Sequence, residues 1–240
     1  MRAMSIYARS ALFYDALQRA TGRDYGAEAD RVHALVASHA RSDASSLLDV
    51  GCGTGGHLAH LRDRYAVEGL DVDRAMLAIA QPRLPGVPLH AQDMIGFNLD
   101  RRFDVIVCLG GTIGYAPNTR LLEQTFETFA RHLQPGGVLV VEPWLAPAQW
   151  HEGELDATFA DEPALKVARM SVHRRDGNVS ILNYSYMVAA SDGVRTFNEP
   201  HRLVLYSDEE YRRAFTRARF HTEHVAEWPG RDGLYIGIRA

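Results

Sequence analysis

Residues 47–56 read LLDVGCGTGG, an apolar run that breaks into glycines. A strand handing over to a helix through such a turn lets the backbone approach a ligand closely, because glycine adopts positive φ without a steric cost. Gly51, Gly53 and Gly56 also satisfy G-x-G-x-x-G, so the glycines alone do not name the ligand. The carboxylates that follow narrow the chemistry. Asp71 closes a second apolar run, 22 residues after Asp49 (71 minus 49). A carboxylate there accepts from both hydroxyls of a ribose, which nicotinamide dinucleotides and S-adenosylmethionine both carry. Asp93, in Ala91-Gln92-Asp93-Met94, is placed either to accept from an adenine amino group or to cap its own loop. Asp49 sits inside an apolar run, where it anchors loop amides, meets a cofactor amino group, or serves the fold alone.

The elements that must hold these groups alternate. The first forty residues read as helix with a break at Thr21-Gly22. Short apolar runs at 45–50, 67–71, 87–90, 103–109 and 138–142 read as strands, with helical patterns at 57–64 and 74–81, the latter stopped by Pro82. Asn118 is an N-cap for a helix carrying Leu121, Leu122, Phe126 and Phe129, ended by Gln134-Pro135-Gly136-Gly137. Such alternation implies βαβ units and a parallel sheet covered on both faces. The pattern then changes. Three extended runs between Leu165 and Tyr206, separated by Asp176-Gly177 and Asp192-Gly193, predict an antiparallel insertion after the fifth strand. Pro200 assigns part of its third strand to an edge or bulge. Ser207 and Glu210 have capping-box spacing for one more helix, and Val225 with Leu234–Ile238 predicts a final hairpin. The expectation is a single domain over 1–240, with a helical cap at 1–43, a core at 44–144 and 207–240, and the insertion at 145–206.

Composition removes several classes of function. The 240 residues carry 26 basic against 30 acidic side chains, a net charge of −4, which argues against nucleic-acid binding. The longest apolar stretch, 105–116, is about half a bilayer span, and no signal-peptide core is seen near Met1. Two cysteines, Cys52 and Cys108, form neither a disulfide scaffold nor a metal spacing, so a cytoplasmic location is expected. The eleven histidines complete no metal site: His57 with His60 and His221 with His224 lack further ligands. No Gly-x-Ser-x-Gly elbow or Walker loop occurs.

Taken together, LLDVGCGTGG, GLDVD at 69–73, AQDM at 91–94, FDVIVCLG at 103–110 and LQPGGVLVVEPW at 133–144 resemble the class I S-adenosylmethionine-dependent methyltransferases in order and spacing. The resemblance implies an α/β, Rossmann-like seven-stranded sheet with helices on both faces, its last strand antiparallel. The cofactor, S-adenosylmethionine, would lie across the carboxyl ends of the strands. It would place Gly51, Gly53 and Gly55 under the methionine moiety, Asp71 on the ribose, Asp93 and Met94 at the adenine, and the Leu109 main chain toward the methionine amino group. Met76 joins this set.

A narrower resemblance covers nearly the whole chain: Gly22-Arg23-Asp24-Tyr25, VVEPW at 140–144, Arg169-Met170-Ser171, His201-Arg202-Leu203 and Gly230-Arg231 are similar to N,N-dimethyltransferases of nucleotide-linked amino sugars such as desosamine and mycaminose. The implied reaction is N-methylation of a TDP-linked deoxyamino sugar in antibiotic biosynthesis, with methyl transfer to another small molecule's nitrogen or oxygen as the alternative. Tyr115 is then a candidate to orient the amine or accept its proton through water, or else a lid on the cofactor. Tyr14 and Tyr25 touch the methionine carboxylate or substrate, or pack the core. Arg169 and Arg231 fit a pyrophosphate clamp, against solvated surface roles. Trp144 stacks on a thymine-type base or lines the pocket, and Thr112 completes the substrate set. The insertion is a plausible homodimer surface, and no nucleic-acid or membrane partner is expected.

Overall fold

The computed structural model describes residues 6–40, 43–226, 228 and 233–240. Four helices begin at side chains that accept first-turn N–H groups: Asp24 starts α2 (Tyr25–His39), Asp73 starts α4 (Arg74–Arg83), Asn118 starts α5 (Thr119–His132) and Ser207 starts α6 (Asp208–Arg217). At Ser207 the capping box is complete, with the Glu210 carboxylate accepting the Ser207 N–H at 3.0 Å. Two shorter helices are α1 (Tyr14–Ala20) and α3 (Leu58–Leu61).

The strands β1 (Ser46–Val50), β2 (Ala66–Leu70), β3 (Leu89–His90), β4 (Phe103–Cys108) and β5 (Leu133–Val141) pair in parallel, and β11 (Phe220–Val225) and β12 (Leu234–Arg239) close the sheet as an antiparallel hairpin. The order across the seven strands is β11-β12-β5-β4-β1-β2-β3. Successive side chains of each strand enter opposite layers. Leu48, Val50, Ile106, Cys108 and Leu139 pack with Phe126 and Phe129 of α5 and Phe215 of α6. Leu47, Val105, Val107 and Val138 pack with Val32 of α2, Leu58 and Leu61 of α3 and Leu77 of α4. Both faces are therefore covered, which is why these strands read as unbroken apolar runs. The order reverses between β1 and β4, so a crevice opens at their carboxyl ends.

After β5 the chain builds a second sheet from β6 (Leu155–Glu162), β7 (Leu165–Val172), β9 (Val179–Ala190) and β10 (Gly193–Val204), with the short β8 (Arg174–Asp176) paired to β9. Gly177 and Gly193 take positive φ at the two expected turns. Pro200 lies on β10, an edge strand as its missing N–H requires. Phe13, Ala16 and Leu17 at the amino-terminal end pack onto Ala160, Val167, Tyr186 and Val188 of this sheet. The insertion and α1 thus form a roof over the crevice.

Several expectations need correction. β6 is an additional strand: its large apolar side chains Leu155 and Phe159 face outward while Thr158 and Ala160 face in, an inverted pattern that does not read as a half-buried strand. Helix α4 runs through Pro82 to Arg83; in the last turn the proline forfeits only one bond. The helix expected over 57–64 contracts to α3, and the loop at 134–137 belongs to β5, joined to β4 through a register shift between Phe103 and Val105.

Candidate active site

The glycine loop is pinned from below. The Gly51 N–H donates to the Leu70 carbonyl at 2.7 Å and the Cys52 N–H to the same oxygen at 3.0 Å, locking the end of β1 to the end of β2. Gly51 has φ +78°, and a Cβ there would strike the Thr112 methyl and lie 2.8 Å from its Oγ1. Gly53, at φ +53°, faces open space, and its N–H donates to Asp71 Oδ2 at 2.8 Å. Asp71 Oδ1 accepts the Asp73 N–H at 2.8 Å. Burial raises the Asp71 carboxyl above its ordinary value, opposed by these backbone donors. Asp73 Oδ2 in turn accepts the Tyr7 N–H at 2.8 Å, stitching the amino-terminal segment across the crevice.

A cavity of about 280 Å³ results. Gly51, Gly53 and Asp71 form its floor and one wall; Met76, Asp93 and Met94 line the end near β3; Leu109, Thr112 and Tyr115 line the end near β4; Tyr14 and Tyr25 close it from above. Asp93 also caps its own loop, Oδ1 accepting the Ile95 N–H at 2.9 Å. Thr112 stands in this cavity and not in the neighbouring one where the substrate is expected, its hydroxyl donating to the Leu109 carbonyl at 2.8 Å. Gly55 is turned away from the lining, because a Cβ there would meet Leu84 Cδ1 at 2.5 Å; Gly56 takes the wall beneath the Tyr25 ring. Asp49 lies under the loop, buried, with Oδ2 lacking any hydrogen-bond partner. Burial pushes its carboxyl up to about 6, opposed by His57 and Arg23.

A second cavity of about 510 Å³ opens under the roof, lined by Trp144, Arg169, Tyr184, Tyr186 and His201. The two share Tyr7, Tyr14, Arg23, Gly110 and Tyr115. Arg23 sits in this common wall, donating to Glu28 Oε2 at 2.8 Å and to Glu142 Oε2 at 3.4 Å. Burial works against its charge, but Glu142 and Glu28 outweigh that and hold it above its ordinary value. Arg169 donates to Thr158 Oγ1 at 3.0 Å and stacks over the Tyr184 ring at 4.4 Å, while its buried Nε has no partner. Trp144 Nε1 donates to Ser180 Oγ at 3.0 Å. Arg231 lies outside the described residues.

The Tyr115 hydroxyl is 3.0 Å from the Tyr7 hydroxyl and 2.6 Å from His201 Nδ1. His201 Nε2 lies 3.5 Å from Glu199 Oε1, which accepts from Ser10 Oγ at 2.5 Å. Burial raises the Tyr115 phenol well above its ordinary value, so the hydroxyl keeps its proton. Tyr7, Arg23, Glu199 and His201 were not among the expected site residues. Arg23 and His201 had a signal, in Gly22-Arg23-Asp24-Tyr25 and His201-Arg202-Leu203, but Tyr7 meets them only through the fold. Among the described residues, no cluster of His, Cys, Asp or Glu suits a metal ion.

Sheet order, glycine loop, acidic residues just after β2 and in the loop after β3, and the unpartnered Asp49 oxygen suit a cationic, ribose-bearing cofactor. They define an S-adenosylmethionine-dependent methyltransferase of class I. Residues 47–137 match the family described as a methyltransferase domain. The chain is 40% identical over 227 residues to a dTDP-3-amino-3,6-dideoxy-α-D-glucopyranose N,N-dimethyltransferase of Streptomyces fradiae, covering 94% of this chain and 89% of that one. Streptomyces venezuelae DesVI superposes with a TM-score of 0.91 at 39% identity, covering 96% of this chain and 98% of DesVI. SAM-bound CalS10, an amino pentose methyltransferase from Micromonospora echinaspora involved in calicheamicin biosynthesis, gives 0.86 at 37% identity, covering 95% and 96%. The chain belongs to this family of sugar N-methyltransferases, and S-adenosylmethionine is its cofactor.

Proposed function

We propose that the chain methylates the amino group of a TDP-linked deoxyamino sugar in natural-product biosynthesis. The observation that carries this is the pair of cavities meeting at Tyr7, Tyr14, Arg23, Gly110 and Tyr115. One suits the cofactor and the other, larger and lined with aromatic and charged groups, has room for a nucleotide sugar. Bound S-adenosylmethionine supplies a methyl group on a sulfonium, open to in-line attack.

The chain's own residues do the rest. Asp71 and Asp93 take the ribose and adenine ends of the first cavity, Asp49 faces the methionine ammonium from below, and Arg23 faces the methionine carboxylate. Tyr7 and Tyr115 present hydroxyls at the junction, where a sugar amine held about 3 Å from the methyl carbon gains most of its rate from position. The half-buried Tyr7, Tyr14 and Tyr115 narrow that junction. Arg169, with a free Nε donor, suits a diphosphate oxygen in the second cavity. Arg231, the other candidate clamp, belongs to the same expectation.

The outer face of the second sheet carries Leu155, Phe159, Met170, Val172, Met187 and Val194, all exposed. This contiguous apolar face supports homodimerisation through the 145–206 insertion. No described helix is long and apolar enough to cross a membrane. Free, buried Cys52 and Cys108 suit the cytoplasm.

Isothermal titration with S-adenosylhomocysteine, then with thymidine diphosphate in its presence, tests the assignment. Both should bind, and the diphosphate signal should fall at least tenfold in Arg169→Ala and in Arg231→Ala while the first affinity holds. Cofactor binding with no nucleotide signal moves the substrate to a free small molecule; no cofactor binding by folded protein removes the assignment.

A further inference from the structure

An amine attacks a methyl group only as its neutral form, whereas alkyl amines enter at neutral pH carrying a proton. After a first transfer the secondary amine again holds a proton that must leave before a second. A group at the junction that takes it keeps the amine reactive at neutral pH. Tyr115 touches both cavities, but its phenol retains its own proton because burial disfavours the phenolate.

We propose that His201 is the terminal acceptor of that proton, reached through the Tyr115 hydroxyl and balanced by Glu199. The charges set the direction. His201 Nε2 makes no hydrogen bond, but the Glu199 Oε1 carboxylate oxygen lies 3.5 Å from it and favours the tautomer with the proton on that side, which leaves the Nδ1 lone pair for the Tyr115 hydroxyl at 2.6 Å. The Tyr115 oxygen is then left as an acceptor on the side of the shared wall, where the Tyr7 hydroxyl lies at 3.0 Å and a substrate ammonium would enter. As the ammonium N–H bond breaks, its proton bonds to the Tyr115 oxygen, and the original hydroxyl proton passes to His201 Nδ1. The lone pair released on nitrogen then forms the new C–N bond as the C–S bond breaks. The imidazolium returns its proton to water when the product leaves the second cavity. Each methyl transferred thus releases one proton.

Groups from four parts of the chain face His201. Glu199 faces it from its own strand, fixed by Ser10 Oγ at 2.5 Å. The Tyr7 ring of the amino-terminal segment and the Tyr184 ring of β9 approach within 5.0 and 5.3 Å, between centroids, and Tyr115 comes from the turn after β4. The other charged groups of the cavity are Asp24, Arg23, Glu28, Glu142 and Arg169. Arg23 is bonded to Glu28 and Glu142, and Arg169 lies 3.6 Å from Asp156. Glu199 is the carboxylate in ion-pair range of the imidazole. His201 itself is 3% exposed, so solvent does not supply this counter-charge.

The inference rests on amine methylation. The test follows kcat/KM with dTDP-3-amino-3,6-dideoxy-α-D-glucopyranose from pH 6.5 to 9.5 in wild type, His201→Gln, Tyr115→Phe and the double variant, alongside S-adenosylhomocysteine affinity. His201→Gln should lose about 10²-fold at pH 7, the scale of general-base assistance, with cofactor-product affinity within twofold. The deficit should shrink as pH rises and solution delivers free amine. Tyr115→Phe should trace the same curve, and the double variant should be no worse than Tyr115→Phe, because the two act as one relay. Curves parallel to wild type at every pH, or a loss below twofold, overturn the relay; should His201→Gln fail to fold, Tyr115→Phe decides alone. A wild-type protein that binds the cofactor product but leaves the sugar amine unmethylated overturns the relay together with the function.

Discussion

Asp49→Asn should make the cofactor-free protein more stable at neutral pH and weaken its hold on the cofactor. Asp49 is nearly fully buried under the glycine loop, and Oδ2 has no partner. Burial raises its carboxyl from an ordinary 3.8 to about 6, against His57 and Arg23 and with Asp71. That rise is worth about 3 kcal/mol. An acid whose folded value is the higher binds more protons folded than unfolded, so stability falls as pH climbs from about 4 to about 6 and stays low above that. At pH 7.5 the empty protein therefore holds an ionised carboxylate at a cost of about 3 kcal/mol, which a methionine ammonium above it would offset. Asparagine removes the charge but leaves amide N–H groups to satisfy, at about 1–2 kcal/mol. The net gain is about 1–2 kcal/mol at pH 7.5, or roughly 2–8 °C in Tm for a chain of this size. Thermal unfolding from pH 4.5 to 7.5, paired with S-adenosylhomocysteine titration, reads both effects; affinity should drop about tenfold or more, the scale of a charged hydrogen bond. A variant no more stable than wild type at pH 7.5, or a gain equally large at pH 4.5, would refute the argument.

Two further outcomes follow from the packing. Gly51→Ala combines a left-handed φ of +78° with a collision against Thr112, so it should cost about 2–5 kcal/mol of stability; Thr112→Ala in the same chain should recover the collision part, and melts of single and double variants check this. Phe159→Glu, exposed on the edge strand β6 of the outer sheet face, should abolish the proposed dimer by sedimentation velocity without lowering the melting temperature by more than a few degrees.

The cofactor half of the site is legible along the chain because its parts are local. A glycine turn after an apolar strand announces positive φ, and Gly51, Gly53 and Gly55 all adopt it. Asp71 follows the end of β2 directly and Asp93 lies in the loop after β3, so their place at the crevice follows from strand order. Asn118 and Ser207 cap helices through neighbours three residues away. Where local signals conflicted with packing, they misled: Pro82 suggested a stop two residues early, and β6 hid because its apolar side chains point outward.

Thr112 and Gly55 show the limit at finer scale. Which cavity a side chain enters depends on a turn's exact winding, and the Thr112 hydroxyl is returned to Leu109 because a 3₁₀ turn over Thr112–Tyr115 follows shortly after β4. The junction itself lies beyond any local pattern. Tyr7, Tyr115 and Glu199 with His201 come from the amino-terminal segment, the loop after β4 and the edge strand of the insertion. No periodicity links residues so far apart in the chain. The sequence by itself determined the parallel sheet, its glycine loop and the acidic ends of its strands, because each is set by neighbours a few residues away. Only the tertiary structure decided that α1 and the inserted sheet close over the crevice and bring a half-buried tyrosine together with a buried histidine and glutamate, since that contact depends on how two separately patterned layers pack.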